Sequence, residues 1–338
     1  MKKVKIGFVL GKFMPLQIGH EYLLQFAKQF CEVLVVIVDC LEGQTMTPEL
    51  RKSIIEEAVP GVIVVALKQK MPQFPTETPE FWPIWRTAIL EAVQEVAGGH
   101  PELVFASDNY GWELAKQVGC RFVQCDIQRE GIPISASMIR RDPMTYWRFL
   151  SMSARKHYLK KVCFMGPEST GKSTTALKVA RHFDTAYVPE YAKAVIAEQE
   201  GEFFKENIEM VAMSQLTSER ALERMTNRLL VCDTDPLTTL IWSEFLYGGH
   251  PPAMDDLVRE SHYDVTFLFE PDVPWVQDIH RSVVQYADAL ETRKNFLELC
   301  KKWLAHFDRP YVSVKGSYED RFDTCVQHCA ELIKGNPS

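Results

Sequence analysis

Short apolar runs, each closed by glycine, proline or a charged residue, recur along the whole chain. In the first half they cover residues 4–10, 33–38, 62–67, 103–106 and 122–125. In the second half they cover 162–165, 186–188, 229–232, 265–269 and 311–314. Each is rich in β-branched or aromatic residues and apolar at nearly every position. That pattern predicts parallel strands covered on both faces rather than half-exposed ones. Longer segments with helical spacing lie between them, such as 21–30 and 210–228. Strands alternating with helices predict an α/β chain of two doubly wound parallel-sheet domains. The polar, basic stretch around Ser151, Ser153, Arg155, Lys156 and Lys160 marks the boundary, giving domains 1–155 and 156–338.

Composition changes this picture little. The 338 residues are 46% hydrophobic and 25% charged, which suits a globular protein with two cores. A net charge of −7 counts against broad nucleic-acid binding but not against phosphate ligands, for which a few local cations and backbone amides suffice. The nine cysteines are scattered, and Cys325 and Cys329 have no second pair at zinc spacing. Reduced thiols and a cytoplasmic location are expected. The apolar run after Met1-Lys2-Lys3 is too short for a signal peptide or a membrane span, so no membrane insertion is expected.

The strongest chemical signal is Gly166-Pro167-Glu168-Ser169-Thr170-Gly171-Lys172-Ser173, followed by Thr174. It lies between an apolar run and a helix-favouring stretch, as a phosphate-binding loop must. Backbone N–H groups from Gly166 to Thr174 are expected to face the triphosphate of ATP. Lys172 reaches the outer phosphates, and the Ser173 hydroxyl binds magnesium. The motif opens the second domain, not the first. A guanine-nucleotide switch protein is disfavoured, because Asp233 is followed by Thr234-Asp235-Pro236 and no Asn-Lys-x-Asp appears.

The first domain carries a different signal. Gly11-Lys12-Phe13-Met14-Pro15-Leu16-Gln17-Ile18-Gly19-His20 follows the first apolar run. A glycine there admits close approach of backbone to a ligand. His20, where a helix begins, can bind a nucleotide phosphate and stabilise charge as pyrophosphate leaves. Near the domain's end, Ser135 and Ser137 can cap a helix and leave its first N–H groups for phosphate, and Arg140 can grip triphosphate oxygens. In the second domain, Glu190-Tyr191 and Asp233-Thr234-Asp235 end apolar runs, where open α/β sheets place ligand-binding residues. Arg281 can stabilise a transferred phosphoryl group.

The two first-domain segments resemble the nucleotidyltransferase superfamily with its His-x-Gly-His and Ile-Ser-x-Ser/Thr-x-x-Arg motifs. Together with the downstream phosphate loop and Ser107-Asp108-Asn109-Tyr110-Gly111, nearly the whole chain resembles the NadR family of bifunctional proteins. The resemblance implies a Rossmann-like nicotinamide mononucleotide adenylyltransferase domain fused to a P-loop ribosylnicotinamide kinase domain. It implies ATP and NAD as ligands, and magnesium for both steps. It also implies ring stacking near Trp82 and Trp85, whose indole faces suit a cationic nicotinamide ring. In the kinase half it assigns substrate contacts to Glu190, Tyr191, Asp233, Asp235 and Trp275, with Arg281 in a lid. An acidic strand-end residue would orient or deprotonate the ribose hydroxyl. Regulatory members carry an N-terminal helix-turn-helix domain; with a first strand starting near Val4, none is expected here.

One residue departs from the pattern: the first motif histidine is Gln17. A neutral amide in place of a charge-assisted contact costs about 1–2 kcal/mol, or about 5–30-fold in rate. The expected function is NAD salvage in two steps. Nicotinamide riboside is phosphorylated by ATP, then the mononucleotide is adenylylated to NAD. Two alternatives stand beside it: a kinase with a vestigial transferase domain, and a nucleotide-sensing regulator. A homo-oligomer is left open.

Overall fold

A computed structural model describes residues 3–39, 45–126, 130–199, 202–276 and 289–334. The chain divides after His157 into two compact units. Each is built on a five-stranded, all-parallel sheet.

In the first unit β1 is Val4–Gly11, β2 Cys31–Val38, β3 Ile63–Ala66, β4 Leu103–Ala106 and β5 Arg121–Gln124, in the order β3-β2-β1-β4-β5. In the second, β6 is Lys160–Met165, β7 Tyr187–Val188, β8 Leu229–Asp233, β9 Val265–Phe269 and β10 Tyr311–Val314, in the order β10-β9-β6-β8-β7. Every apolar run of the sequence is a strand, displaced by at most two residues at either end. The reason is visible on β6. Val162 and Phe164 enter one buried cluster with Ala176 and Val179 of the helix Lys172–His182 and Cys325 of the helix Tyr318–Ile333. Cys163 and Met165 enter another with Ile208 of the helix Ile208–Leu222 and Leu240 of the helix Pro236–Tyr247. Both faces are covered, so both sets of alternating positions must be apolar.

The helices depart more. The first is Ile18–Lys28, starting three residues before the expected 21 because Gln17 caps it. The segment expected over 210–228 is the helix Ile208–Leu222 followed by a 3-10 turn at Glu223–Met225. Thr226 is already extended toward β8. The eight cysteines among the described residues are free thiols. Among the described residues, no helix is long and apolar enough to cross a membrane.

Candidate active sites

In the first unit β1 bonds β2 on one side and β4 on the other, so the connections leave in opposite directions at their carboxyl ends. A cavity of about 540 Å³ opens there, the position where open α/β sheets hold ligands. Gly11, Lys12, Phe13, Gln17 and His20 form one wall, and Trp82 and Trp85 another. Ser107, Asp108 and Tyr110 close it beyond β4. Phe13 adopts a left-handed backbone, φ 47°, and its ring lies edge-on to His20 with centroids 5.1 Å apart. A Cβ on Gly11 would come within 3.1 Å of the Phe13 ring, so glycine at 11 is what lets that ring fold back.

Gln17 is buried and caps the helix Ile18–Lys28. Its Oε1 accepts from the Gly19 N–H at 3.3 Å, and its own N–H donates to His20 Nδ1 at 3.4 Å. With Nδ1 accepting, a neutral His20 ring carries its proton on Nε2. Trp85 is buried, its indole N–H donating to the Pro72 carbonyl at 2.9 Å. Trp82 is half-exposed in the cavity wall and meets Phe81 edge-on at 5.0 Å. The more accessible indole face is therefore that of Trp82.

Arg140 does not line the cavity. Its guanidinium donates to the Met14 carbonyl at 2.6 Å and to Ser137 Oγ at 2.9 Å, fastening the helix Ala136–Arg141 to the loop after β1. Ser135 caps that helix by accepting from the Met138 N–H at 3.3 Å, so this N–H is already used. Two groups escaped the sequence reading. Arg51 is fully buried and donates to the carbonyls of Lys12, at 2.8 Å, and Asp39, at 2.9 Å. Asp39 directly follows β2, is buried, lines the cavity and accepts from Gln73 at 3.0 Å.

In the second unit the loop from Gly166 to Ser173 leaves β6 for the helix Lys172–His182. Gly166, at φ 137°, has the Phe269 carbonyl 2.6 Å from where a Cβ would sit, so only glycine fits. Ser169 and Gly171 are also left-handed, at φ 56° and 82°. The loop is fastened from below. Arg293 donates to the Ser169 carbonyl at 3.4 Å, and Arg321 to the Thr170 carbonyl at 3.4 Å. Both guanidiniums are buried. Glu168 to Thr174 line an open cavity of about 610 Å³ with Lys178, Lys193, Trp275 and Tyr318.

Beside it is a narrow, mostly apolar slot walled by Lys172, Glu190, Phe203, Gln215 and Trp242. Asp233 ends β8 fully buried. Its Oδ2 accepts from Tyr187 Oη at 2.9 Å and from Lys193 Nζ at 3.0 Å, while Oδ1 has no hydrogen-bond partner. Burial, and next the nearby Glu190 carboxylate, push its carboxyl up to about 6. Lys193 also reaches Ser173 Oγ at 2.6 Å and Glu190 Oε2 at 3.3 Å.

Three expected contacts differ. Asp235 caps the helix Pro236–Tyr247 through Thr238 at 2.8 Å and pairs with Arg309 at 2.7 Å, so both its oxygens serve structure. Tyr191 packs on the hydrophobic core and lines neither cavity. Trp275 stands at the phosphate cavity rather than the slot. Arg281 lies outside the described residues.

A family model described as AAA domain matches residues 161–321. The trifunctional NAD biosynthesis/regulator protein NadR of Escherichia coli (strain K12) is 25% identical, over 98% of this chain and 84% of that protein. The protein of the same description from Salmonella typhimurium (strain LT2) is 26% identical over the same shares. Among solved structures, that of a NadR protein in complex with NR aligns with a TM-score of 0.77 and 19% identity, over 100% of this chain and 99% of that one. A NadR protein in complex with NAD and AMP-PNP aligns at 0.75 and 20%, over 98% of both chains. Through both units the chain is NadR-like, similar in sequence to those NAD biosynthesis/regulator proteins and in fold to those structures over 98% or more of its length.

Proposed function

We propose that this chain performs two consecutive steps of NAD salvage. The second unit phosphorylates nicotinamide riboside with ATP. The first joins the mononucleotide to AMP from a second ATP and releases pyrophosphate. The observation that carries this reading is the convergence of Lys172, Ser173, Glu190 and Asp233 between a phosphate loop and a slot walled by Trp242. It occurs in a chain whose other unit has an indole-walled cavity containing His20. Likeness to NadR proteins over both units supports the same pairing.

In the kinase half the loop amides and Lys172 hold the triphosphate, and transfer depends on position and charge rather than covalent chemistry. Glu190 lines the same slot as Lys172, so it can orient the ribose 5′-hydroxyl and accept its proton. The slot is about 30 Å³ as it stands, so it must widen for Trp242 to offer an aromatic wall to the pyridine ring. The residues fit a divalent cation: Ser173 Oγ faces Asp233, whose buried Oδ1 lacks a hydrogen-bond partner. Magnesium held by Ser173 and Asp233 would neutralise phosphate charge.

In the transferase half, His20 donates through Nε2 to the phosphate nearest the bond being broken, and Trp82 stacks on the nicotinamide. Arg140 supports the loop from behind; with ATP bound it can exchange the Met14 carbonyl for phosphate oxygen.

The test is incubation of purified protein with ATP, magnesium and nicotinamide riboside, followed by chromatography. Mononucleotide and dinucleotide should both form. Mononucleotide alone would leave the kinase and make the first unit vestigial, and neither product would remove the reading.

A further inference from the structure

Lys193 is the third residue of the helix Tyr191–Glu198, whose cap is Glu190. Its ammonium meets three oxygens from three elements: Ser173 Oγ at 2.6 Å, Asp233 Oδ2 at 3.0 Å and Glu190 Oε2 at 3.3 Å. In phosphate-loop enzymes, a loop hydroxyl and a strand-end aspartate are the groups that hold the divalent cation travelling with the nucleotide. We propose that Lys193 is a resident counter-ion: in the unliganded protein its ammonium occupies the divalent-cation position of the kinase site and competes with the metal for it. The proposal rests on the phosphate loop binding a metal–nucleotide complex, and not on which hydroxyl is phosphorylated.

Charge requires some such device. Asp233 is fully buried and Glu190 nearly so on its side chain, 10% exposed, and the two carboxylates lie on one cation. Without a positive charge they repel in a poorly solvated place. An ammonium answers this with contacts of 2.6, 3.0 and 3.3 Å to the three oxygens. Magnesium demands oxygens at about 2.0–2.1 Å in octahedral array. A metal at the same oxygens would stand within a few ångströms of Nζ, where like charges with little water between them exclude one another.

Lys193 can leave without disturbing the fold. Its side chain is a flexible four-carbon tether, 34% exposed, and it lines the phosphate cavity. A free metal ion arriving alone meets the ammonium and offers it nothing in return. A metal–nucleotide complex brings phosphate oxygens to which the displaced ammonium can turn. The device therefore favours the complex over the bare ion.

The test needs neither ATP nor riboside. Manganese binding to the full chain is titrated by electron paramagnetic resonance for wild type, Lys193→Met and Lys193→Gln. Both variants should bind manganese at least about tenfold more tightly than wild type, because a competing charge is gone. Adding Asp233→Asn to either should abolish the gain, which ties it to this site. Circular dichroism checks folding, and the glutamine variant, which keeps a donor for Ser173, decides if the methionine variant fails to fold. Unchanged manganese affinity in a folded variant, or a gain that survives Asp233→Asn, overturns the proposal. Kinase turnover, measured separately, judges the proposed function and does not enter this result.

Discussion

Gln17 and His20 hold each other across the first turn of one helix: the Gln17 N–H donates to His20 Nδ1, and the Gln17 side chain caps the Gly19 N–H. The glutamine is thus a helix cap, and on the proposed function it is also a neutral substitute for a charged phosphate ligand. The two roles make separable predictions. Gln17→Ala removes the cap and should lower the first unit's stability by about 1 kcal/mol, read by denaturant titration. Gln17→His can still cap through Nδ1 and adds a charge-assisted contact. Its adenylyltransferase turnover should rise by about 5–30-fold with kinase turnover unchanged. A flat or lower transferase rate would show that Gln17 is no handicap.

His20 and Arg140 should fail differently. On the proposed function, His20 contacts charge that develops as the bond breaks, so His20→Ala should lower transferase kcat more than it raises KM for ATP. Arg140 anchors the loop after β1 through the Met14 carbonyl, so Arg140→Ala should raise KM for ATP as well. Steady-state kinetics across ATP concentrations distinguish the two. Normal transferase kinetics in either variant would take that residue out of the site.

The two nucleotide sites are built from separate units, and Lys172 belongs to the second alone. Lys172→Ala should abolish riboside phosphorylation and leave adenylylation of supplied mononucleotide within about twofold of wild type, since sites without shared partners are nearly additive. Equal loss of both, in protein shown to be folded, would contradict two independent sites.

On the proposed function, Asp233 sets an acid limit on the kinase. Its carboxyl, raised to about 6 by burial and by Glu190, must be ionised to face a metal. Kinase kcat/KM should therefore fall about tenfold per pH unit below about 6. The stability sign follows from the same shift. The folded protein holds this proton to higher pH than the unfolded chain does, so ionisation of Asp233 lowers stability as pH rises from 3.8 to about 6, with no further change above. An Asp233→Asn protein should lack that slope in a metal-free denaturation series.

Gly111 offers a purely steric test. A Cβ there would stand 2.3 Å from the Phe122 ring, far inside contact distance. Gly111→Ala gains helix propensity, but the clash is larger. The first unit should lose about 1–3 kcal/mol on thermal or denaturant unfolding, and the second should unfold unchanged.

The strands were legible because burial on both faces leaves an apolar run with no helical period, as on β6 and β9. The phosphate loop was legible because glycine spacing and the Lys172-Ser173 pair follow from local geometry. Lys193 was not, because a lysine in a helix ordinarily reads as a solvated side chain and only the fold brings Ser173 and Asp233 to it. Trp242 was hidden in the helix Pro236–Tyr247, whose apolar residues give no hint of which one faces a slot. Arg51 reads as a surface residue until the carbonyls of Lys12 and Asp39 surround it. The family resemblance assigns Asp235 to substrate, yet the first turn of the next helix and Arg309 use both its oxygens.

The two buried arginines beneath the phosphate loop bear on the thermodynamics of nucleotide capture. Arg293 and Arg321 draw the carbonyls of Ser169 and Thr170 inward, and the peptide planes that carry those carbonyls are fixed before any anion arrives. Little backbone entropy is then left to lose at the moment of binding, because the loop was ordered when the chain folded. Calorimetry of ATP association should accordingly lack the large unfavourable entropy and heat-capacity change that mark a loop ordered by its ligand. Loss of either guanidinium would shift that ordering from the folding reaction to the binding reaction, weakening affinity through entropy at a distance from every phosphate oxygen.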